Sequence, residues 1–419
     1  MIRLEHSKTP IAAKIKISGS KSISNRLLIL QQFCPDLILD NLSDSEDTQV
    51  LIKALQSQEE HINVGHAGTA MRFLLAYFAT QQKVTKIITG SKRMQQRPVA
   101  PLVEALRQLG AKITYLGTKG YPPVKIHGFS QQIAQINIKA GISSQFITAL
   151  LLVGHQLPLG LDLHLQGRLI SKPYVQMTID LLAQLGVHVA VEEKRILIEP
   201  QQLKPQKINV EPDWSSASYF YSALALAPVG STCFLYGFKT KSLQGDARLV
   251  SWYKKLGVET QETSEGLQLK RVEKEIPSHL SLDLVNNPDL AQTLVVTCLG
   301  LGMSCDLSGL QSLKIKETDR LQALKNEMQG LGATLRITGS SLHLSRQQNP
   351  LQSATIKTYQ DHRMAMAFAP LALKVPLMIE NEAVVAKSYR SFWKDWEKMG
   401  FLINYKTGFY KLMGKSNKR

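Results

Sequence analysis

The residues best equipped for chemistry lie in one short stretch, Lys316-Glu317-Thr318-Asp319-Arg320-Leu321. An apolar-periodic run, Leu321, Leu324 and Met328, follows it directly, so Thr318 or Asp319 is expected to cap a helix. Two fixed cations and a carboxylate then sit beside free backbone N–H groups. Such a place binds a small anion and can move the pKa of a neighbouring carboxyl group. Alone, the stretch reads better as a solvated first turn with a Glu317–Arg320 pair three residues apart. The same design recurs along the chain, and that favours the functional reading.

Gly19-Ser20-Lys21-Ser22 turns from the strand-like Lys14–Ser18 into a helix carrying Asn25 and Arg26, a phosphate cradle in outline without the spacing of a Walker loop. Gly65-His66-Ala67-Gly68-Thr69-Ala70-Met71-Arg72 is a small-residue helix entry where a ligand can approach the backbone. Arg93 and Arg97 precede a helix started by proline. Ser143, Ser144 and Gln145 open another helix, and Ser171-Lys172-Pro173-Tyr174 a further one. Capping accounts for one serine at each place and leaves the other donors unexplained. In the second half, Asn287-Pro288-Asp289 puts a carboxylate at the head of a hydrophobic helix. Asp361-His362-Arg363 heads another, and Lys387 follows the strand-like Val384–Ala386. An isolated Asp289 would be an acid matched to the helix dipole, and an isolated His362 a structural histidine. Together the stretches supply many cations and hydroxyls and two candidate acid/base carboxylates, Asp289 and Glu317. No metal-ligand pattern accompanies them, so the inventory suits an enzyme without metal or cofactor that acts on two small, phosphorylated anions.

The elements that must position these residues repeat. An amphipathic helix, then Leu-Gly or Met-Gly, then a strand, occurs around Gly110, Gly186, Gly257, Gly332 and Gly400. Each glycine is expected to end its helix in the left-handed conformation. A degenerate sixth copy, Val50–Val64, lacks the glycine. Near-constant spacing of some seventy residues predicts six α/β units. Each unit also holds a second helix, apolar nearly all round and therefore buried: Ser24–Phe33, Thr69–Ala79, Ser144–Val153, Ser215–Ala227, Pro288–Leu299 and His362–Leu373. All six begin in polar clusters, and converging helix starts would focus positive potential on one place. Pro205 and Pro212 interrupt the pattern and divide the units three and three.

The chain has 419 residues, enough for two or three domains, with a net charge of +17. That charge points to nucleic acid or to a polyanionic metabolite. Its dispersal, without basic runs, weighs against nucleic acid. The four cysteines, Cys34, Cys233, Cys298 and Cys305, show neither zinc nor disulfide spacing. Without an apolar leader or a membrane-length span, a cytoplasmic protein is expected, with a frayed basic tail at 415–419.

In their order and over nearly the whole chain, several motifs resemble the 5-enolpyruvylshikimate-3-phosphate synthase family. They are Gly19–Arg26, Ala67–Arg72, Ser143–Phe146, Ser215–Tyr219, Lys316–Leu321 and Asp361–Met366. The resemblance implies a two-domain inverse α/β barrel-like fold, α/β in class, with three βαβαββ units per domain and an interdomain cleft. Residues 1–18 plus 213–419 would form one discontinuous domain and 19–212 the other. It implies transfer of the enolpyruvyl group of phosphoenolpyruvate to the 5-hydroxyl of shikimate 3-phosphate by addition–elimination. Asp289 would be the base, Glu317 the proton donor and Lys21 their neighbour. Shikimate 3-phosphate would be held by Lys21, Ser22, Arg26, Ser143, Ser144, Gln145, Ser171, Asp289, Ser312 and Lys316. Phosphoenolpyruvate would be held by Lys21, Gly68, Arg97, Gln145, Arg320, Arg363 and Lys387. A monomer is expected, with no nucleic acid and no membrane as partner. The sequence departs from the family pattern at His66, Phe73, Pro212, Ser312 and Arg390, the first two flanking the phosphoenolpyruvate pocket. The competing readings are an enolpyruvyl transferase acting on UDP-N-acetylglucosamine, which would bring a loop cysteine, and a basic nucleic-acid-binding protein.

Overall fold

A computed structural model describes residues 1–405. The tail at 415–419 lies outside the described residues. Six sheets are present among them, five of four strands and one of two. The four-stranded sheets share one plan. In the unit that starts at residue 61, strand His61–Asn63, helix Gly68–Ala79 and strand Lys86–Thr89 form a parallel crossover. Helix Ala100–Leu109 and the hairpin of Ala111–Tyr115 with Val124–Phe129 complete it.

Sequence explains this plan locally. Helix Ala100–Leu109 carries a proline in its first turn and buries Leu102, Val103, Ala105, Leu106 and Leu109 on one face. Each fully buried leucine stabilises the packing by roughly 1.5–3 kcal/mol. Gly110 then turns the chain at φ 113°, and a Cβ there would lie 1.9 Å from the Ser130 carbonyl oxygen. The other four repeat glycines also have positive φ, from 80° to 87°. The degenerate copy has its own structural cause. Helix Glu46–Gln56 is followed by no hairpin of its own, and its unit keeps only the parallel pair Ile38–Asp40 with Lys207–Asn209.

The six apolar helices are internal. Lys21–Gln31, Gly68–Ala79 and Ser144–Gly154 pack on one another in the first half, and Trp214–Leu226, Ala291–Gly300 and His362–Phe368 do so in the second. Two of them start or stop differently from the sequence reading. Pro288–Leu290 is a 3₁₀ turn before its α-helix, and Pro370 converts the end of the last one to 3₁₀, Ala369–Leu373. Val384–Ala386, read as strand-like, lies instead in the 3₁₀ turn Glu382–Lys387. Three residues of apolar character do not distinguish the two conformations.

Buried apolar side chains fall into two clusters. One joins Ile2–Ile17 to residues 214–401, and the other runs from Ile23 to Val210. The chain therefore passes between them twice, near residues 18–22 and 211–213. Strand Ile2–His6 pairs with Leu377–Ile379 and with Phe401–Tyr405, and strand Ala12–Ile15 pairs with Thr232–Tyr236.

Candidate active site

The inner helices begin at the seam between the two halves. A pocket there is lined by Lys21, Ser22 and Arg26 from the first, Gly68 and Thr69 from the second, and Ser143, Ser144 and Gln145 from the third. Asp289, His362 and Arg363 come from the starts of two helices across the seam. Ser171 and Arg97 line it from the first half, and Ser312, Lys316, Glu317 and Arg320 from the second. Of the residues assigned to catalysis or to the two substrates from the sequence, Lys387 alone is absent from this wall. Its ammonium donates to the Gln360 carbonyl at 2.6 Å, though it stays within electrostatic reach of Glu317 and Asp47.

Arg320 is the centre of the charge arrangement. Its side chain is 2% exposed and meets three carboxylates: Asp289 from Nη1 at 2.8 Å, Glu317 from Nη2 at 2.8 Å and Asp361 from Nε at 2.7 Å. Asp319, rather than Thr318, caps the helix, accepting from the Leu321 and Gln322 amides. This fixes Arg320 as the first helical residue. Asp289 also faces Lys316 at 3.4 Å and Arg363 at 3.3 Å. Burial raises its pKa, yet Arg363, Lys316 and Arg320 together hold the carboxyl well below the usual range. Glu317 behaves likewise: burial works against ionisation, and Arg320, Arg97 and Lys316 outweigh it. Burial and the charge of Lys21 push His362 well below the ordinary imidazole value, so its ring is neutral.

On the opposite wall, Lys21 pairs with Asp47 at 3.0 Å. Arg26 donates to the Ser22 carbonyl at 2.7 Å, the Tyr174 carbonyl at 2.9 Å and Thr178 Oγ1 at 2.9 Å, and burial lowers it to about 10. Gln145 donates to Thr69 Oγ1 at 3.2 Å. Ser171 takes a left-handed conformation, φ 53°, as its amide donates to the Val285 carbonyl across the seam. The Ser312 hydroxyl is buried without a hydrogen-bond partner among the described residues. Gly68 permits a close approach: a Cβ there would stand 2.4 Å from Arg97 Nη1. Arg93 reaches over the seam to the carbonyls of Lys316 (3.0 Å) and Glu317 (3.1 Å).

Sequence reasoning missed Asp47 and Asp361 as partners of site cations. Asp47 follows the capping Ser45, and a first-turn acid is explained by the helix dipole alone. Asp361 caps its helix by accepting from the Arg363 amide at 2.8 Å, which hides its second role. Phe73, noted as a departure, lines the pocket with the Arg26 guanidinium 5.7 Å from its ring centroid. His66 is half-buried beside Ser91, 3.1 Å from its hydroxyl.

Two α/β halves whose inner helices aim their starts at a shared cationic cleft define the fold of the enolpyruvyl transferases. Solved structures with this fold include an EPSP synthase from Acinetobacter baumannii, with a TM-score of 0.74, 20% identity, and 96% of this chain and 99% of that one covered. The enolpyruvyl transferase NikO from Streptomyces tendae gives a TM-score of 0.72 at 14% identity, covering 97% and 99%. The chain belongs to the EPSP synthase (3-phosphoshikimate 1-carboxyvinyltransferase) family, whose sequence profile matches residues 32–396. A 3-phosphoshikimate 1-carboxyvinyltransferase of Bacteroides fragilis strain YCH46 is 45% identical over 398 residues, 94% of this chain and 96% of its own. That of Neisseria gonorrhoeae strain NCCP11945 is 34% identical over 416 residues, 91% and 94%. Among the described residues no helix is long and apolar enough to cross a membrane.

Proposed function

We propose that the chain transfers the enolpyruvyl group of phosphoenolpyruvate to the 5-hydroxyl of shikimate 3-phosphate and releases phosphate. The observation that carries this reading is the pairing of Asp289 and Glu317 on one guanidinium, Arg320, in a cleft whose wall also carries Lys21, Arg26, Arg97, Lys316 and Arg363. Asp289 takes the proton of the 5-hydroxyl as that oxygen attacks C2 of phosphoenolpyruvate, and Glu317 gives a proton to the methylene carbon. The tetrahedral adduct then loses phosphate while a proton leaves the new methyl group, restoring the double bond.

The neighbouring cations hold Glu317 ionised, so its donor role requires a change. The cations that keep it ionised include Arg320 and Arg97, both assigned to phosphoenolpyruvate. A bound phosphate and carboxylate would engage those charges, and burial would then drive Glu317 toward protonation. Substrate thereby arms its own proton donor. Lys21, Ser22, Arg26, Ser143, Ser144, Gln145, Ser171, Ser312 and Lys316 hold shikimate 3-phosphate, fixing its ring against Asp289. Lys21, Gly68, Arg97, Gln145, Arg320, Arg363 and Lys387 hold phosphoenolpyruvate, Lys387 after exchanging the Gln360 carbonyl for the ligand. The halves 1–18 plus 213–419 and 19–212 act as two domains, each with its own apolar core. The enzyme works in the cytoplasm as a monomer on these two small molecules, with no cofactor, nucleic acid or membrane.

The test is phosphate release by purified protein, with each substrate omitted in turn. Release should require both and should fall about 10²–10⁴-fold in Glu317→Gln, the range of a lost general acid. Release with UDP-N-acetylglucosamine in place of shikimate 3-phosphate, or none at all, would overturn the reading.

A further inference from the structure

Behind the cleft wall lies a carboxylate that the proposed chemistry does not use. Asp246 is 4% exposed and belongs to the 3₁₀ turn Gly245–Arg248. It accepts hydrogen bonds from Ser215 Oγ at 2.5 Å, Asn287 Nδ2 at 3.1 Å and Tyr174 OH at 3.5 Å. Those three partners come from separate elements, and each is one bond from the cleft. The Ser215 hydroxyl stands 3.4 Å from Arg363 Nη2. Asn287 opens the turn that carries Asp289. Tyr174 lies across the seam in the first half, and its carbonyl holds Arg26. Burial disfavours the charged carboxylate and raises its pKa; Ser215, Asn287 and the field of Arg363 offset only part of that cost.

The chain is also shaped to admit the contact. Gly245, next to Asp246, approaches Pro173, next to Tyr174, so closely that a Cβ would stand 2.4 Å from Pro173 Cβ. A side chain at 245 would push the two halves apart at this point. A carboxylate reaching three elements and a glycine permitting the approach serve the same end.

We infer that Asp246 is a positioning residue: it joins the Ser171–Tyr174 turn of one half to Asp289 and Arg363 of the other. It thereby sets the distance between the cradle for the first anion and the base that must meet it. The kinetic part of this inference rests on the proposed function; the structural part does not.

The experiment compares Asp246→Ala, Gly245→Ala and Tyr174→Phe with the unaltered chain, by steady-state kinetics, melting and amide hydrogen exchange. Exchange is read at Ser171, whose amide crosses the seam to Val285, and at Leu290, whose amide closes the Asp289 turn. Misplacement of about 1 Å costs on the order of 10²-fold, so kcat should fall roughly 10–100-fold in Asp246→Ala. KM for shikimate 3-phosphate should change less than about threefold, because none of the groups assigned to that ligand is removed. Exchange at Ser171 and Leu290 should accelerate together while the inner helices stay protected. Gly245→Ala, which keeps the carboxylate, should move the same readouts in the same direction, and Tyr174→Phe should add little to Asp246→Ala. Unchanged kcat in folded protein, a rise in KM alone, or independent exchange at the two amides would each overturn the inference. If Asp246→Ala does not fold, the other two variants decide. If the unaltered chain releases no phosphate, the functional reading fails, and the exchange measurement still decides whether Asp246 couples the two turns.

Discussion

Replacing Arg320 by methionine keeps most of its volume and removes one charge that three carboxylates share. Asp289 would retain Lys316 and Arg363, and Glu317 would retain Arg97 at 3.9 Å. Asp361 would be left worst placed. It is fully buried, and its other ion-pair contact is His362 at 3.9 Å, whose ring is neutral. Stripping one buried carboxylate of its partner costs about 3–5 kcal/mol. For a unit of some 200 residues each kcal/mol lowers Tm by about 2–4 °C, so the second half should melt roughly 6–20 °C earlier. The pH dependence has a definite sign. In the unaltered chain Asp289 and Glu317 titrate below their ordinary values of 3.8 and 4.5. The stability they confer is complete above those values and is lost as pH falls through the depressed ones. The deficit of Arg320→Met should therefore be largest near neutrality and shrink as pH drops below about 4, where these carboxylates protonate in the unfolded chain of both proteins. Urea denaturation and calorimetry at several pH values measure it. A deficit under about 1 kcal/mol at pH 7, or one that grows toward acid, would refute the reasoning.

Gly68→Ala should displace the Arg97 guanidinium without unfolding the helix, because the clash is with the flexible end of a side chain. KM for phosphoenolpyruvate should rise about 10–100-fold, the cost of one charge-assisted bond, with melting little changed; an unaltered KM would count against the assigned role of Arg97. Arg93→Ala removes two bonds that cross the seam to the Lys316 and Glu317 carbonyls. It should raise KM for both substrates, and small-angle scattering with both bound should report a more open molecule than the parent. Asp289→Asn should lower kcat about 10²–10⁴-fold while equilibrium binding of shikimate 3-phosphate survives; loss of binding instead would make Asp289 a ligand and not a base.

How much of this was legible beforehand depended on distance along the chain. The repeat was legible because a helix-ending glycine and a buried helix are written locally, in φ preference and in periodicity. The Glu317–Arg320 pair, three residues apart, was legible for the same reason. The pairs of Arg320 with Asp289 and Asp361, 31 and 41 residues away, were not, since only folding brings those carboxylates to one guanidinium. Asp246 carried still less signal. Gln244-Gly245-Asp246 reads as an ordinary turn, and nothing local reveals Tyr174, 72 residues earlier, as its neighbour. Lys387 was assigned to phosphoenolpyruvate through resemblance, and its bond to Gln360 shows why charge and motif do not fix where an ammonium points.

One strand waits long for its neighbours. Ile2–His6 finds its partners at Leu377–Ile379 and Phe401–Tyr405, whereas the core running from Ile23 to Val210 is complete once residue 210 has been synthesised. On the ribosome the inserted half has every contact it needs while the enclosing half still lacks most of its residues. Until residues 377–405 are made, Ile2 and Leu4, both fully buried in the folded protein, have no sheet to enter. Closing so long a loop is slow, and an unpaired apolar strand invites association with other chains. Chain order thus sets two folding clocks, and the nascent protein is most exposed to chaperones and to aggregation between them.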